Sequence, residues 1–219
     1  MSVCLWFSFS FEHLFLIIIC NYLIFNLIEV LFFYDLFKSM CNSNQITQNQ
    51  AEHLAATGHL ATGTKSGIIR TSPLGTCVAV IAYDKTSKTG GIAHTMLPGK
   101  SPTKDKKEEN KYAENAIENL LDELKSLGSK KANIEICLIG GANVMRKEND
   151  ATADNLILSI FEILERKKLN IKKTSLGGYE RRTAKLCLHS GMVTFTLGNN
   201  RETELLNFIS CSTGGISYE

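Results

Sequence analysis

None of the seven cysteines of this 219-residue chain is paired as CxxC, and none stands at ligand spacing from a histidine. A structural zinc site is therefore not expected, and the odd, scattered set suits a reducing compartment better than a disulfide framework. No charge excess singles out a polyanionic partner: 24 basic residues face 22 acidic ones, for a net charge of +2. No basic stripe interleaves with aromatics, so nucleic acid is not an expected partner. No internal repeat is present, and no regular β-α-β alternation appears. Finally, no Lys or Arg precedes the apolar run near the N-terminus and no small-residue cleavage site follows it, which argues against a signal peptide.

That apolar run, residues 14–34, is almost wholly Leu, Ile, Phe, Val and Tyr, broken by Asn21, Asn26 and Glu29. It is long enough to span a bilayer. Three readings stand: a membrane anchor, an amphiphilic helix docked elsewhere, or upstream sequence translated ahead of a true start at Met40. Contact with a membrane is expected only if this segment is genuine. The chain thus divides into a hydrophobic segment (1–39), a polar linker (40–66), one domain (67–198) and a C-terminal extension (199–219).

Within the domain, residues 76–83 are rich in β-branched and aromatic side chains and end at the turn-forming run Asp84-Lys85-Thr86-Ser87-Lys88-Thr89-Gly90-Gly91. Residues 92–97 form a second strand, closed by Pro98-Gly99. Paired as a hairpin, the two bring Cys77, near the start of one strand, beside His94, near the far end of the other. A thiol nucleophile and its base need that relation: distant in sequence, adjacent in space. Thr71, six positions before Cys77, is within reach of the same place and able to orient the ring. Gly75 leaves the backbone open to a substrate without a Cβ in the way, and the N–H groups around Thr76 and Cys77 are candidate oxyanion donors.

Two amphipathic helices follow a charged loop (99–110). In the first, Ala113, Ala116, Ile117, Leu120, Leu121, Leu124 and Leu127 share a face, with Asn110 as expected N-cap and Gly128 as stop. In the second, from a start near Thr152 or Asp154, Leu156, Ile157, Ile160, Phe161, Leu164 and Leu169 do the same. Strands are expected near 59–62 (weakly), from Ile68, and at 134–139, 170–175, 182–189 and 192–197. The fold class is α/β, with packed mixed sheets flanked by two main helices.

Cysteine and histidine by themselves serve proteases, transglutaminases, acyltransferases and amidases alike. Residue by residue, however, Thr71, Leu74-Gly75-Thr76-Cys77-Val78 and Gly90-Gly91-Ile92-Ala93-His94-Thr95-Met96-Leu97-Pro98 resemble the signature of the chemoreceptor glutamine deamidase family, CheD. Later pieces follow in order: Lys111-Tyr112-Ala113, Gly140-Gly141-Ala142 with Met145, Asn155, Gly177-Gly178 with Arg182, and Ser190-Gly191. Thr76 stands where the family usually has Ser, and Ala151-Thr152-Ala153-Asp154 replaces an Ile-Gly-x-Arg type sequence.

The resemblance implies a layered α-β-β sandwich and a cytoplasmic cysteine amidohydrolase with no cofactor. Cys77 would be its nucleophile, His94 its base and Thr71 the third member. The implied reaction, through a thioester, converts glutamine side chains of methyl-accepting chemotaxis receptors to glutamate. A chemotaxis phosphatase is the implied second partner. The alternative is a non-catalytic module of the same fold that regulates a phosphatase or a receptor.

Overall fold

A computed structural model describes residues 51–103 and 105–210; the hydrophobic segment and the end of the C-terminal extension lie outside the described residues. Among the described residues no helix is long and apolar enough to cross a membrane.

Among the described residues, ten strands form two five-stranded sheets. The first contains β1 (Glu52–Ala55), β3 (Ile68–Thr71), β8 (Arg182–Cys187), β9 (Met192–Leu197) and β10 (Thr203–Asn207), in that order. The second has β2 (Leu60–Thr64), β5 (Thr89–Thr95), β4 (Val78–Asp84), β6 (Ile134–Gly140) and β7 (Asn170–Leu176), in that order. Both sheets are mixed: β1 runs parallel to β3 and β6 to β7, while the other pairs are antiparallel. A short α1 (Lys106–Glu109) precedes the two main helices, α2 (Ala113–Ser126) and α3 (Thr152–Arg166).

Strand alternation explains the layering. β4 is buried along its whole length, so it has two apolar faces rather than one. Val78, Val80 and Ala82 pack with Ile117, Leu120, Leu156 and Ile160 from the helices. Ala79, Ile81 and Tyr83 point the other way, into a second core with Ile69, Leu186 and Val193 of the first sheet. The result is the expected α-β-β sandwich.

The glycine pair near the start of β5 lets both neighbouring layers approach closely. A Cβ on Gly90 would come within 2.9 Å of Leu186 in the other sheet, and one on Gly91 within 2.7 Å of Leu120 on α2. Across the same core the Tyr83 hydroxyl donates to the Leu188 carbonyl at 2.8 Å, and its ring stacks on Phe208.

Three boundaries differ from the sequence reading. β1 lies in the stretch read as linker and β10 in the stretch read as extension, so both ends contribute sheet edges, while β2 is the weak strand expected near 59–62. The first main helix is entered at Tyr112, not Asn110. An isolated bridge joins Leu97 to Tyr112 and fixes the chain's direction there, leaving the Asn110 side chain to accept from Asn119 at 2.8 Å.

Candidate active site

β4 and β5 pair antiparallel with Ala79 opposite His94 and Val78 opposite Thr95. Directly opposed residues share a face, and faces alternate along a strand, so Cys77 and His94 lie on one side of the sheet as diagonal neighbours. That side is the seam between the two sheets, where Cys77 packs against the inter-sheet core. Cys77 retains partial exposure, whereas His94 is fully buried.

The His94 ring is held from the opposite layer. Its Nδ1 lies 3.3 Å from the carbonyl oxygen of Ala55, at the end of β1, and 3.2 Å from Oγ of Ser72, just past β3. A carbonyl only accepts, so the ring proton sits on Nδ1 and Nε2 carries a bare lone pair. Nε2 is buried and, among the described residues, has no hydrogen-bond partner. Unsatisfied buried polar atoms are uncommon in folded proteins, and a catalytic role is one of the reasons such an atom is kept.

Burial pushes the Cys77 thiol above its ordinary range, partly offset by a hydrogen bond from its own main chain. Burial likewise holds His94 below the ordinary imidazole range. The hydrogen bond to Ala55 opposes that shift, and the nearby His59 adds to it. Both directions favour a neutral thiol beside a neutral imidazole, not a standing thiolate–imidazolium pair.

Thr71 stands on β3 of the first sheet and is buried. Its hydroxyl accepts the Ala184 N–H at 2.9 Å, tying β3 to β8. Gly75 and Thr76 lead into Cys77 on a segment clamped from both sides. Leu74 and Arg182 exchange main-chain hydrogen bonds, and Ala142 N donates to the Gly75 carbonyl at 2.8 Å. A Cβ on Gly75 would make only an ordinary contact with Val144, so the folded chain itself has room for one. Among the described residues, the main-chain N–H groups of Thr76 and Cys77 donate to no other main-chain carbonyl.

The sequence reading did not pick out Ser72 or the Ala55 carbonyl as parts of the site, and it marked Arg182 only within the glycine-turn piece of the family resemblance. The Arg182 guanidinium is buried and donates to Ser175 Oγ at 3.1 Å and to the Gly177 carbonyl at 2.8 Å, so it shapes the turn beside the site. Asn143 N donates to Gly178 O in the same turn, and the Arg146 guanidinium sits 5.3 Å over the Tyr179 ring. Met145 and Tyr179 stand out from this rim, 72% and 59% exposed. Adjacent hydroxyls at Thr71 and Ser72 alternate faces on an extended strand, a pattern able to flag Ser72. A main-chain carbonyl leaves no trace in sequence.

Comparison with known proteins addresses the lineage. A probable chemoreceptor glutamine deamidase CheD of Chlorobium luteolum is 35% identical over 164 residues, covering 74% of this chain and 82% of that protein. This chain belongs to the CheD family. A CheD relative of Methanococcus vannielii, also named a probable chemoreceptor glutamine deamidase, is 40% identical over 130 residues, 58% of this chain and 82% of that one. The chemoreceptor glutamine deamidase CheD of Thermotoga maritima is 28% identical over 149 residues, 68% of this chain and 94% of that one. The CheD family model, described as CheD chemotactic sensory transduction, matches residues 96–196, beginning just past His94.

Proposed function

We propose that this protein is a chemoreceptor glutamine deamidase in which Cys77 is the nucleophile and His94 the base. The observation that carries this reading is the bare, buried Nε2 of His94 on the face it shares with Cys77. Family membership supports the substrate: glutamine side chains on the cytoplasmic helices of chemotaxis receptors, which makes the protein cytoplasmic.

The mechanism follows from the neutral pair. As Sγ of Cys77 attacks the carboxamide carbon, its proton passes to Nε2 of His94, and the carbonyl π pair moves onto oxygen. The N–H groups of Thr76 and Cys77 are the donors for that oxyanion. Collapse breaks the C–N bond; His94 hands its proton to the departing nitrogen, releasing ammonia and leaving a thioester. Water then gives a proton to Nε2 and its oxygen to the acyl carbon. The C–S bond then breaks, Nε2 returns its proton to Sγ, and the restored thiol is left with glutamate as product. Thr71 acts from a distance in this scheme, fixing the strand end from which the chain runs through Ser72 to Cys77.

The exposed Met145 and Tyr179, on the rim clasped by Arg146, offer an apolar rest for a helical substrate next to the opening. A chemotaxis phosphatase is the second partner in this reading, tested by co-purification with the full chain.

The deciding experiment incubates the full chain with a purified chemoreceptor and follows both ammonia release and the conversion of glutamine peptides to glutamate by mass spectrometry. Conversion that disappears in Cys77→Ala supports the reading. Receptor binding without conversion overturns it and leaves a binding module of the same fold.

A further inference from the structure

Ser72 joins three elements at one point. Its main-chain N–H donates to the Ala55 carbonyl at 3.3 Å, the same oxygen that takes Nδ1–H of His94. Its hydroxyl lies 3.2 Å from His94 Nδ1 and 3.1 Å from the Thr57 hydroxyl, and Thr57 is exposed. The Nδ1 proton is therefore shared between two acceptors, one main-chain and one side-chain, and the same residue fixes the position of both.

We propose that Ser72 is a positioning residue for His94, holding the ring with Nε2 toward the thiol and sharing the Nδ1 proton when the ring becomes charged during the reaction. The Thr71 hydroxyl, one position earlier, accepts from Ala184 N–H, while the groups at hydrogen-bond distance from His94 Nδ1 are Ala55 O and Ser72 Oγ. With the Ser72 hydroxyl accepting from Nδ1, its own O–H is free to donate to Thr57. The result is a short hydroxyl chain running from the exposed edge of the fold to the buried ring. A hydroxyl in this place has the role a second hydrogen-bonded group has for catalytic or metal-bound histidines generally: it selects the tautomer and the ring angle.

This assignment rests on the deamidase reading, and the test separates the two. In Ser72→Ala of the full chain, kcat falls about tenfold with KM unchanged, the usual scale for losing one hydrogen bond to a group that becomes charged. Ser72→Thr, which keeps the hydroxyl, restores most of it. The acid limb of the kcat profile moves to lower pH in Ser72→Ala, because the imidazolium loses an acceptor. His59, just before β2, and Cys77 are the titratable groups nearest His94 in the fold, so the profile is repeated in His59→Gln.

The independent readout is nitrogen NMR of the His94 imidazole, which needs no activity. Wild type shows the Nδ1–H tautomer with its proton protected from exchange, and Ser72→Ala shows faster exchange or a mixed tautomer. An unchanged imidazole spectrum together with an unchanged pH profile in Ser72→Ala overturns the positioning role, whatever the assay says of deamidation. A wild type without deamidase activity but with the expected spectral change overturns the deamidase reading alone.

Discussion

A Cβ on Gly140 would overlap the main-chain carbonyl oxygen of Cys77. The backbone of Gly140 sits at φ +126°, a region side chains avoid, and the next residue, Gly141, donates its N–H to that same carbonyl at 2.8 Å. The end of β6 thus sets the height of Cys77 at the mouth of the seam. Gly140→Ala combines strain at φ with a clash against backbone that has no room to give. We expect a loss of about 3 kcal/mol or more in unfolding free energy and no measurable activity. Thermal melts and the deamidation assay check this together. A stable, active alanine variant would mean the close approach is not needed.

The pH profile is the sharpest test of the resting state. With His94 held low and Cys77 held high, kcat/KM has its acid limb below the ordinary imidazole range and its basic limb above the ordinary thiol range. Activity falls with acid because the base becomes protonated, and with alkali because the pair loses the proton that ammonia must carry away. A standing ion pair would instead have its acid limb at the ionisation of a lowered thiol and its basic limb at loss of the imidazolium proton, so a basic limb below the ordinary thiol range overturns the neutral pair.

Thr71→Val removes the acceptor for the buried Ala184 N–H while nearly preserving shape. The expected cost is about 1–3 kcal/mol of stability, measured by denaturant unfolding. His94 keeps its Nδ1–H tautomer, because Ala55 and Ser72 are untouched. A displaced tautomer in this variant would return Thr71 to direct contact with the ring.

Asp84 closes the β4–β5 turn by accepting from the N–H groups of Thr86 at 2.8 Å, Ser87 at 3.4 Å and Lys130 at 3.3 Å. These bonds outweigh burial and hold its carboxyl below the ordinary range. Its folded pKa lies below its unfolded one, so its contribution is fully present above the unfolded value and is lost as pH falls through the folded value. Asp84→Ala should cost about 1–3 kcal/mol near neutrality and flatten the acid side of the stability curve. Melting temperature against pH for the two proteins checks the sign.

Tyr179→Ala strips the rim of its ring and of the Arg146 contact without touching the thiol or the imidazole. A rise in KM of about tenfold at constant kcat, worth ~1.4 kcal/mol, is expected with receptor as substrate. A fall in kcat alone would assign the ring to the chemistry instead.

The hairpin that carries Cys77 and His94 was readable because period-two alternation, a glycine pair and a turn cluster together fix register, and register fixes which side chains share a face. The two helices were readable from their apolar spacing. β1 and β2 were harder, being short, polar edge strands whose stability comes from their neighbours. What orients His94 was least accessible. The Ala55 carbonyl comes from the backbone 39 residues earlier, and Thr71 and Ser72 are told apart only by which side of an extended chain each faces. The hydrophobic segment at 14–34 lies outside the described residues, and its three readings stand as they began.

Because β1 supplies the oxygen that receives the imidazole proton, the boundary of the working unit lies well upstream of the residues that look like its signature. A shortened protein beginning at Gly67 would carry the thiol, the ring and every glycine of the motif. It would nevertheless lack Ala55 and Thr57, leaving Ser72 without its own anchors as the one remaining hold on the Nδ1 side of the ring. Such a fragment is expected to look complete on paper and to be inert at the bench.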